Sequence, residues 1–324
     1  MAEPVAAGVA PQVAPASLDP RKFRSPDVTA RGEPRARVAL RALETLWFNT
    51  GTLCNLACRN CYIESSPSND RLVYLSSAEV SSYLDELERN RLPTRLIGFT
   101  GGEPFMNPEL PRMLDDVLSR GLEALVLTNA MKPMLKCGQA LLDLRRRHRD
   151  RLTIRVSIDH YGRAVHELER GRRSWPPTIA GLRWLCDNDF RINVASRRLS
   201  GESEPALREG FRRLFDAYQI ALDASDPLEL VIFPEMDASA DVPEITEACW
   251  GILGKSPHDV MCATSRMIVK RKGDTRPVAV ACTLLPYDRR FELGETLEQA
   301  SVSVPLNHPH CARFCVLGGG ACSR

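Results

Sequence analysis

The stretch ALETLWFNTGTLCNLACRNCY, residues 42–62, joins two signals in one short run. Its first half is apolar, with aromatic and β-prone residues, and reads as a buried strand. Its second half sets Cys54, Cys58 and Cys61 in a C-x3-C-x2-C triplet just past that strand. Outward from it the pattern of strand followed by helix repeats. SSAEVSSYLDELERNRL has Ser76 with Glu79 three positions on, a capping box, and Val80, Leu84 and Leu87 then share one helical face. RLIGFT precedes a helix starting near Asn107, EALVLTN one around Leu135 to Arg147, and LTIRVSID one around Thr178 to Cys186. FRINVAS precedes PALREGFRRLFDAY, and LELVIFP closes the series. Six such units imply an α/β fold with a parallel sheet and outer helices, either an open doubly wound sheet or a full or partial barrel. In both, ligands gather beyond the carboxyl ends of the strands, where the cysteines, TGGEP and TNAM all fall.

The chain of 324 residues has room for more than one domain. Charged residues at 26% and a net charge of +2 give no basic footprint for nucleic acid. RRRHRDR, from Arg145 to Arg151, reads as a solvated helix end. No apolar run is long enough to span a membrane, and the amino terminus has no basic region and is broken by Pro4, Pro11 and Pro15, unlike a signal peptide. A cytoplasmic protein is expected, and there eleven cysteines point to metal binding or chemistry rather than disulfides. Residues 1–38, rich in Ala, Pro and charge, read as a disordered arm, and residues 39–256 as the strand-helix body. Residues 257–324 read as a small second module: a hairpin around KGDT, a short helix in FELGETLEQAS, and a loop-like tail.

Three thiolates from one loop select zinc, copper(I) or an iron-sulfur cluster. A structural zinc site wants four ligands, whereas a [4Fe-4S] cluster on three thiolates keeps one iron open to another ligand. In TGGEP, Gly101 and Gly102 allow close backbone approach, and Glu103 offers an anion for a cationic amine. Ser157 and Asp159, at the end of the fourth strand, suit ribose hydroxyls, and Arg170 suits a carboxylate; a helix cap and a surface arginine are the plainer alternative. Thr128 and Asn129 end the third strand and are compatible with an ordinary turn. The second module holds Cys262, Cys282, Cys311, Cys315 and Cys322, with His308 and His310 beside them; Cys137, Cys186 and Cys249 stand singly and read as small core residues.

Taken together, CNLACRNCY and the later GFTGGEP resemble the signature of the radical S-adenosylmethionine (SAM) enzymes, over about residues 43–235. The resemblance implies a (β/α)6 partial TIM barrel in which Cys54, Cys58 and Cys61 hold a [4Fe-4S] cluster. It implies that the open iron binds the amino and carboxylate groups of SAM's methionine, with Gly101, Gly102 and Glu103 at the amino group. Ser157 and Asp159 would approach the ribose or carboxylate, with Arg170 nearby. The implied chemistry is reductive cleavage of SAM to a 5′-deoxyadenosyl radical that abstracts hydrogen from a substrate, the electron coming from a donor such as flavodoxin or ferredoxin. The family usually has an aromatic residue where this chain has Asn60.

The second module is similar to the twitch domain, a shortened SPASM domain with an auxiliary [4Fe-4S] cluster. That resemblance assigns Cys262, Cys282, Cys311 and Cys315 as ligands, with Cys322 as a substitute or a hydrogen-atom donor, and a role in oxidation or substrate binding. A zinc site is the alternative for this module, and the tail's C-x3-C departs from the more usual C-x2-C. The short, Pro-rich arm before Ala42 favours a small-molecule substrate over a peptide. A maturase of a ribosomal peptide or protein is the second reading, and a non-catalytic iron-sulfur or zinc protein the third.

Overall fold

Six parallel strands stand where the apolar runs placed them: β1 (Thr45–Asn49), β2 (Leu96–Thr100), β3 (Glu123–Thr128), β4 (Leu152–Ser157), β5 (Arg191–Arg197) and β6 (Leu230–Phe233). They come from a computed structural model that describes residues 16–199, 201–234 and 236–322. Each strand pairs in parallel with the next in sequence, so the winding never reverses. Such an order is that of a barrel rather than a doubly wound sheet, and the family of strands stays open between β6 and the far edge. The fold is an α/β partial TIM barrel.

Alternation along the strands sorts the two faces. Leu46 and Phe48 of β1, Ile97 and Phe99 of β2, and Ala124 and Val126 of β3 face outward into one apolar layer with the helices. Trp47 and Leu125 face inward into a second layer shared with the C-terminal segment. The outer layer is covered by α1 (Ser77–Arg89), α2 (Leu110–Ser119), α3 (Lys132–Lys136), α4 (Gly138–His148), α5 (Arg163–Arg170), α6 (Trp175–Asp187) and α7 (Glu204–Tyr218), with the short α8 (Cys249–Leu253) beyond β6. Helix α1 begins as expected: Glu79 N–H donates to the Ser76 hydroxyl, and the Glu79 carboxylate accepts from Ser76 N–H. The single helix expected from Leu135 to Arg147 is broken at Cys137 into α3 and α4, and α5 had no expected counterpart.

Residues 257–322 do not stand apart. Strand β7 (Ser265–Val269) pairs in parallel with β1, and β8 (Val278–Val280) returns antiparallel to it as the expected hairpin. The FELG segment, expected in a helix, instead supplies β9 (Glu292–Gly294), because it pairs with β8 and completes a nine-stranded sheet. The tail expected to be a loop winds into a π-helical turn over Cys311–Leu317. The expected disordered arm divides: residues 1–15 lie outside the described residues, while 16–38 are packed. Phe23 is buried, Arg37–Val38 pairs with Val304–Pro305, and Arg35 forms a buried ion pair with Glu244. Among the described residues no helix is long and apolar enough to cross a membrane.

Candidate active site

The carboxyl ends of the parallel strands surround one cavity, of about 160 Å³, walled by the loop after β1. Cys54, Cys58 and Cys61 line it, opposite Gly101 and Gly102 from the end of β2. The loop is held by its backbone: Cys54 N–H donates to Ser66 carbonyl at 3.0 Å, and Arg59 N–H to Glu169 carbonyl at 2.7 Å. Two amides address the sulfurs, Leu56 N–H to Cys54 Sγ at 3.4 Å and Ser65 N–H to Cys61 Sγ at 3.3 Å. Burial pushes the Cys54 thiol up to about 12 and also raises Cys58, where Arg170 and Arg197 pull the other way. Thiols so placed stay protonated until a cation draws them into ionisation.

The glycines press against the backbone of the cysteine loop. Gly101 has φ +139, and a Cβ there would sit 2.4 Å from Gly51 carbonyl oxygen; at Gly102 it would sit 2.1 Å from that of Leu53. Gly102 N–H donates to Gly51 carbonyl and Glu103 N–H to Leu53 carbonyl, so the end of β2 is stitched to the strand that carries the thiols.

Glu103 is buried and is not part of the cavity wall. One carboxylate oxygen accepts from Thr128 Oγ1 at 2.7 Å and from Phe105 N–H at 3.2 Å; the other accepts from Asn129 N–H at 2.9 Å. Burial raises its pKa to about 7 against the pull of these donors. Thr128 and Asn129, compatible in sequence with a plain turn, are therefore its partners, and both line the cavity. Asn129 also donates to Asn55 Oδ1 at 2.9 Å, bridging β3 to the cysteine loop.

Across the cavity Ser157, Asp159 and Arg170 come together as the spacing suggested. Arg170 Nη2 donates to Asp159 Oδ1 at 3.0 Å, with both side chains largely buried. Burial opposes the Asp159 charge, yet Arg170 outweighs it and holds the carboxyl below its usual range. The surface-arginine alternative is thereby set aside. Asn60 lines the same wall and donates to Glu169 Oε2 at 2.6 Å, while Arg197 donates to the Asn60 carbonyl at 2.7 Å. Arg197 was not singled out in the sequence, since an arginine at a strand end carries no motif. The Ser65 hydroxyl and the Nε atoms of Arg170 and Arg197 are buried without partners, and all three residues line the cavity. Unpaired polar atoms facing one apolar and polar space suit a polar ligand. The three sulfurs wall that space rather than converge: among the described residues no three His, Cys, Asp or Glu are placed to hold a single metal ion.

Residues 48–201 match the Radical SAM superfamily model. Just under half of the chain thus resembles a radical SAM domain. Such a domain brings a [4Fe-4S] cluster and SAM as cofactors, and the buried thiols with the unpaired polar atoms opposite fit both. Over 143 residues the chain is 32% identical to the "Antilisterial bacteriocin subtilosin biosynthesis protein AlbA" of Bacillus subtilis (strain 168), a match spanning 44% of this chain and 30% of that one. Two solved structures share the fold. SuiB of Streptococcus suis bound to S-adenosylmethionine aligns with TM-score 0.56 and 12% identity, over 78% of this chain and 63% of SuiB. Native anSMEcpe with bound AdoMet aligns with TM-score 0.57 and 13% identity, over 79% of this chain and 79% of that one. The chain thus spans less than two thirds of the length of AlbA and of SuiB.

At the far side of the radical SAM domain, Cys262, Cys282, Cys311 and Cys315 line a second, apolar cavity. Burial raises every one of these thiols, Cys262 to about 11 and Cys282 to about 12. The π-helical turn supplies Cys311 and Cys315, the 3-10 turn Met261–Ala263 before β7 supplies Cys262, and Cys282 follows two residues after β8. Cys322 does not line that cavity: its sulfur accepts from Thr283 Oγ1 at 3.2 Å, beside Cys282, and its carbonyl from Arg155 Nη1 at 2.8 Å. His310 is buried and His308 half-buried; burial lowers their pKa values to about 4 and about 3, and neither lines the cavity. Tyr62 lines the first cavity, and burial together with Cys322, Cys61 and Cys282 raises its pKa, which places the phenol between the two groups of thiols.

Proposed function

We propose that the protein is a radical SAM enzyme that modifies a peptide or protein, with an auxiliary iron-sulfur cluster. The similarity to AlbA, a bacteriocin biosynthesis protein, carries the choice of a peptide over a small molecule. SuiB, which shares the fold, has been solved bound to its precursor peptide SuiA. The small-molecule reading rested on the arm before Ala42, a weaker ground than similarity of the domain itself.

Cys54, Cys58 and Cys61 would hold the [4Fe-4S] cluster, which when bound would supply the electron for reductive cleavage of SAM. The chain's own residues bind and orient. Gly101 and Gly102 hold the thiol loop against β2, and Glu103 with Asn129 sets the end of β3 beside it. Ser157 and the Asp159–Arg170 pair, which line the cavity, are assigned to SAM's ribose and carboxylate; Glu103, assigned to the amine, lies behind Thr128 and Asn129 and acts on that end of the cavity through them. Asn60, lacking an aromatic face, holds Glu169 and the loop in place instead of packing on an adenine. The apolar walls of Leu127, Phe233 and Met236 exclude water from the space where substrate hydrogen would be abstracted. Cys262, Cys282, Cys311 and Cys315 are assigned to the auxiliary cluster, and an external flavodoxin- or ferredoxin-like protein to electron delivery.

The test is anaerobic reconstitution followed by incubation with SAM and a reductant. Release of 5′-deoxyadenosine is expected, lost in Cys58→Ala. Coexpression with short peptides encoded beside the gene should then shift one peptide's mass by paired hydrogen losses. Zinc-loaded, iron-free protein would sink the enzyme reading, and 5′-deoxyadenosine release stimulated only by small metabolites would sink the peptide.

A further inference from the structure

Three largely buried arginines of this fold each come with a carboxylate. Arg35 has Glu244 at 2.5 Å, Arg170 has Asp159 at 3.0 Å, and Arg271 has Glu292 at 2.9 Å. Arg266 is buried as completely as any, at 0% exposure, and among the described residues has no carboxylate partner. Its guanidinium donates only to carbonyls: Nε to Ala300 at 2.8 Å, Nη1 to Cys262 at 2.6 Å and Ser265 at 2.7 Å, and Nη2 to Val302 at 3.0 Å. Carbonyl dipoles satisfy its N–H groups without cancelling its charge. Arginine does not shed its proton in a protein, so a whole positive charge stays in the interior. An unpaired buried ion costs several kcal/mol as an order of magnitude.

The position of the charge identifies what balances it. Arg266 holds the carbonyl of Cys262 itself, and it lies within electrostatic reach of the Cys262 and Cys282 sulfurs. The cavity that those two share with Cys311 and Cys315 is walled by side chains such as Val260, Leu285 and Leu306 and by no charged residue among those described, so Arg266 meets it through Cys262; Arg35 and Arg290, the other arginines in reach of Cys311, already have Glu244 and Asp288. A cubane bound by four thiolates is anionic overall and becomes more so on reduction. In an apolar box that added charge has little solvation.

We propose that Arg266 is the fixed counter-charge of an anionic four-thiolate cluster in the second cavity, and that it raises that cluster's reduction potential. The inference rests on the auxiliary-cluster reading given above. It makes Arg266 a positioning residue: it touches neither SAM nor substrate, and acts through the electron affinity of the cluster beside it.

The test uses the full chain with Cys54, Cys58 and Cys61 all replaced by Ala, so that after reconstitution the second cavity holds the remaining cluster. Its reduction is titrated by electron paramagnetic resonance in this background, alone and with Arg266→Gln or Arg266→Lys. Removing the charge in Arg266→Gln is expected to lower the reduction equilibrium constant tenfold or more, about 59 mV more negative for one electron. Arg266→Lys, which keeps a charge but loses the fork to four carbonyls, should stay within threefold of Arg266. Equal shifts in both variants, or none in Arg266→Gln, overturn the proposal and leave Arg266 a backbone tie. If Arg266→Gln does not fold, a tenfold shift in Arg266→Lys overturns it and a shift under threefold upholds it. If the background binds no iron-sulfur cluster at all, the auxiliary-cluster reading fails first, a result distinct from an unshifted potential.

Discussion

At the scale of single residues, Glu103 and Gly102 show how a short motif carries two jobs. A carboxyl whose pKa is raised by burial binds its proton more tightly folded than unfolded. For the metal-free protein the folded state therefore gains on acidification: the contribution of Glu103 is full below about 4.5 and is lost as pH rises through about 7. By linkage the loss is on the order of 3 kcal/mol across that window. Urea unfolding of metal-free protein at several pH values should show this slope, and Glu103→Gln should flatten it; an unchanged profile would remove Glu103 as its source. Gly102→Ala acts by volume. Its Cβ would lie 2.1 Å from the Leu53 carbonyl, so the backbone leading to Cys54 must move. Overpacking of this kind costs about 1–3 kcal/mol, and a displaced loop should cut 5′-deoxyadenosine formation at least tenfold. Activity within twofold of the unaltered protein would refute the close fit. Sequence showed that TGGEP matters because glycine and glutamate sit beside a thiol triplet. It did not show that the glycines face the cysteine loop, nor that Thr128 and Asn129 hold the carboxylate, because both depend on which strand ends become neighbours.

At the scale of elements, what is written locally was legible. The helix α1 follows from a Ser76–Glu79 box and one apolar stripe, and both capping hydrogen bonds are present. Ser76→Ala removes the acceptor for Glu79 N–H and should cost ~1 kcal/mol in urea unfolding, with iron content unchanged. A loss of iron would instead mean that α1 helps hold the thiol loop. The errors have the opposite cause. FELG became a strand through pairing with β8, a contact between segments that no local period reports. The tail became a π-helical turn carrying Cys311 and Cys315, and its C-x3-C spacing reads as loop until the two thiols are seen to share a cavity with Cys262 and Cys282. Helix α5 was missed because it is only eight residues long and its buried face is polar: RAVHELER buries His166 and Glu169 and delivers Arg170 to the site.

At the scale of the molecule, residues 16–38 were the largest misreading, and the reason is a single acid far along the chain. Composition marks the segment as poor in apolar side chains, and by itself it has no core to join. Glu244 supplies what it lacks. Its carboxylate accepts from Phe23 N–H at 2.7 Å, Ala30 N–H at 2.6 Å and Arg35 Nη2 at 2.5 Å, while Arg35 also donates to the carbonyls of Ser25, Val28 and Leu306. Burial opposes the Glu244 charge, but these donors prevail and hold the carboxyl below its usual range, so its contribution is present at neutral pH and lost as pH falls through the depressed value. The segment thereby covers the side of the molecule that holds the second cavity: Leu306, one of its walls, is tied to Arg35, and Phe23 carbonyl accepts from Arg290. Glu244→Gln keeps the shape and removes the charge, which leaves the Arg35 guanidinium buried and unbalanced. Breaking a buried pair from one side costs about 3–5 kcal/mol, so chemical denaturation at pH 7 should register a loss of that size. Limited proteolysis should then cut first between residues 16 and 38, and in reconstituted protein the proposed auxiliary cluster should lose iron before the cluster on Cys54, Cys58 and Cys61, since only the second cavity lies under this segment. A stability change below about 1 kcal/mol, or equal release of iron from both clusters, would mean that the segment only rests on the surface and that the second cavity is sealed without it.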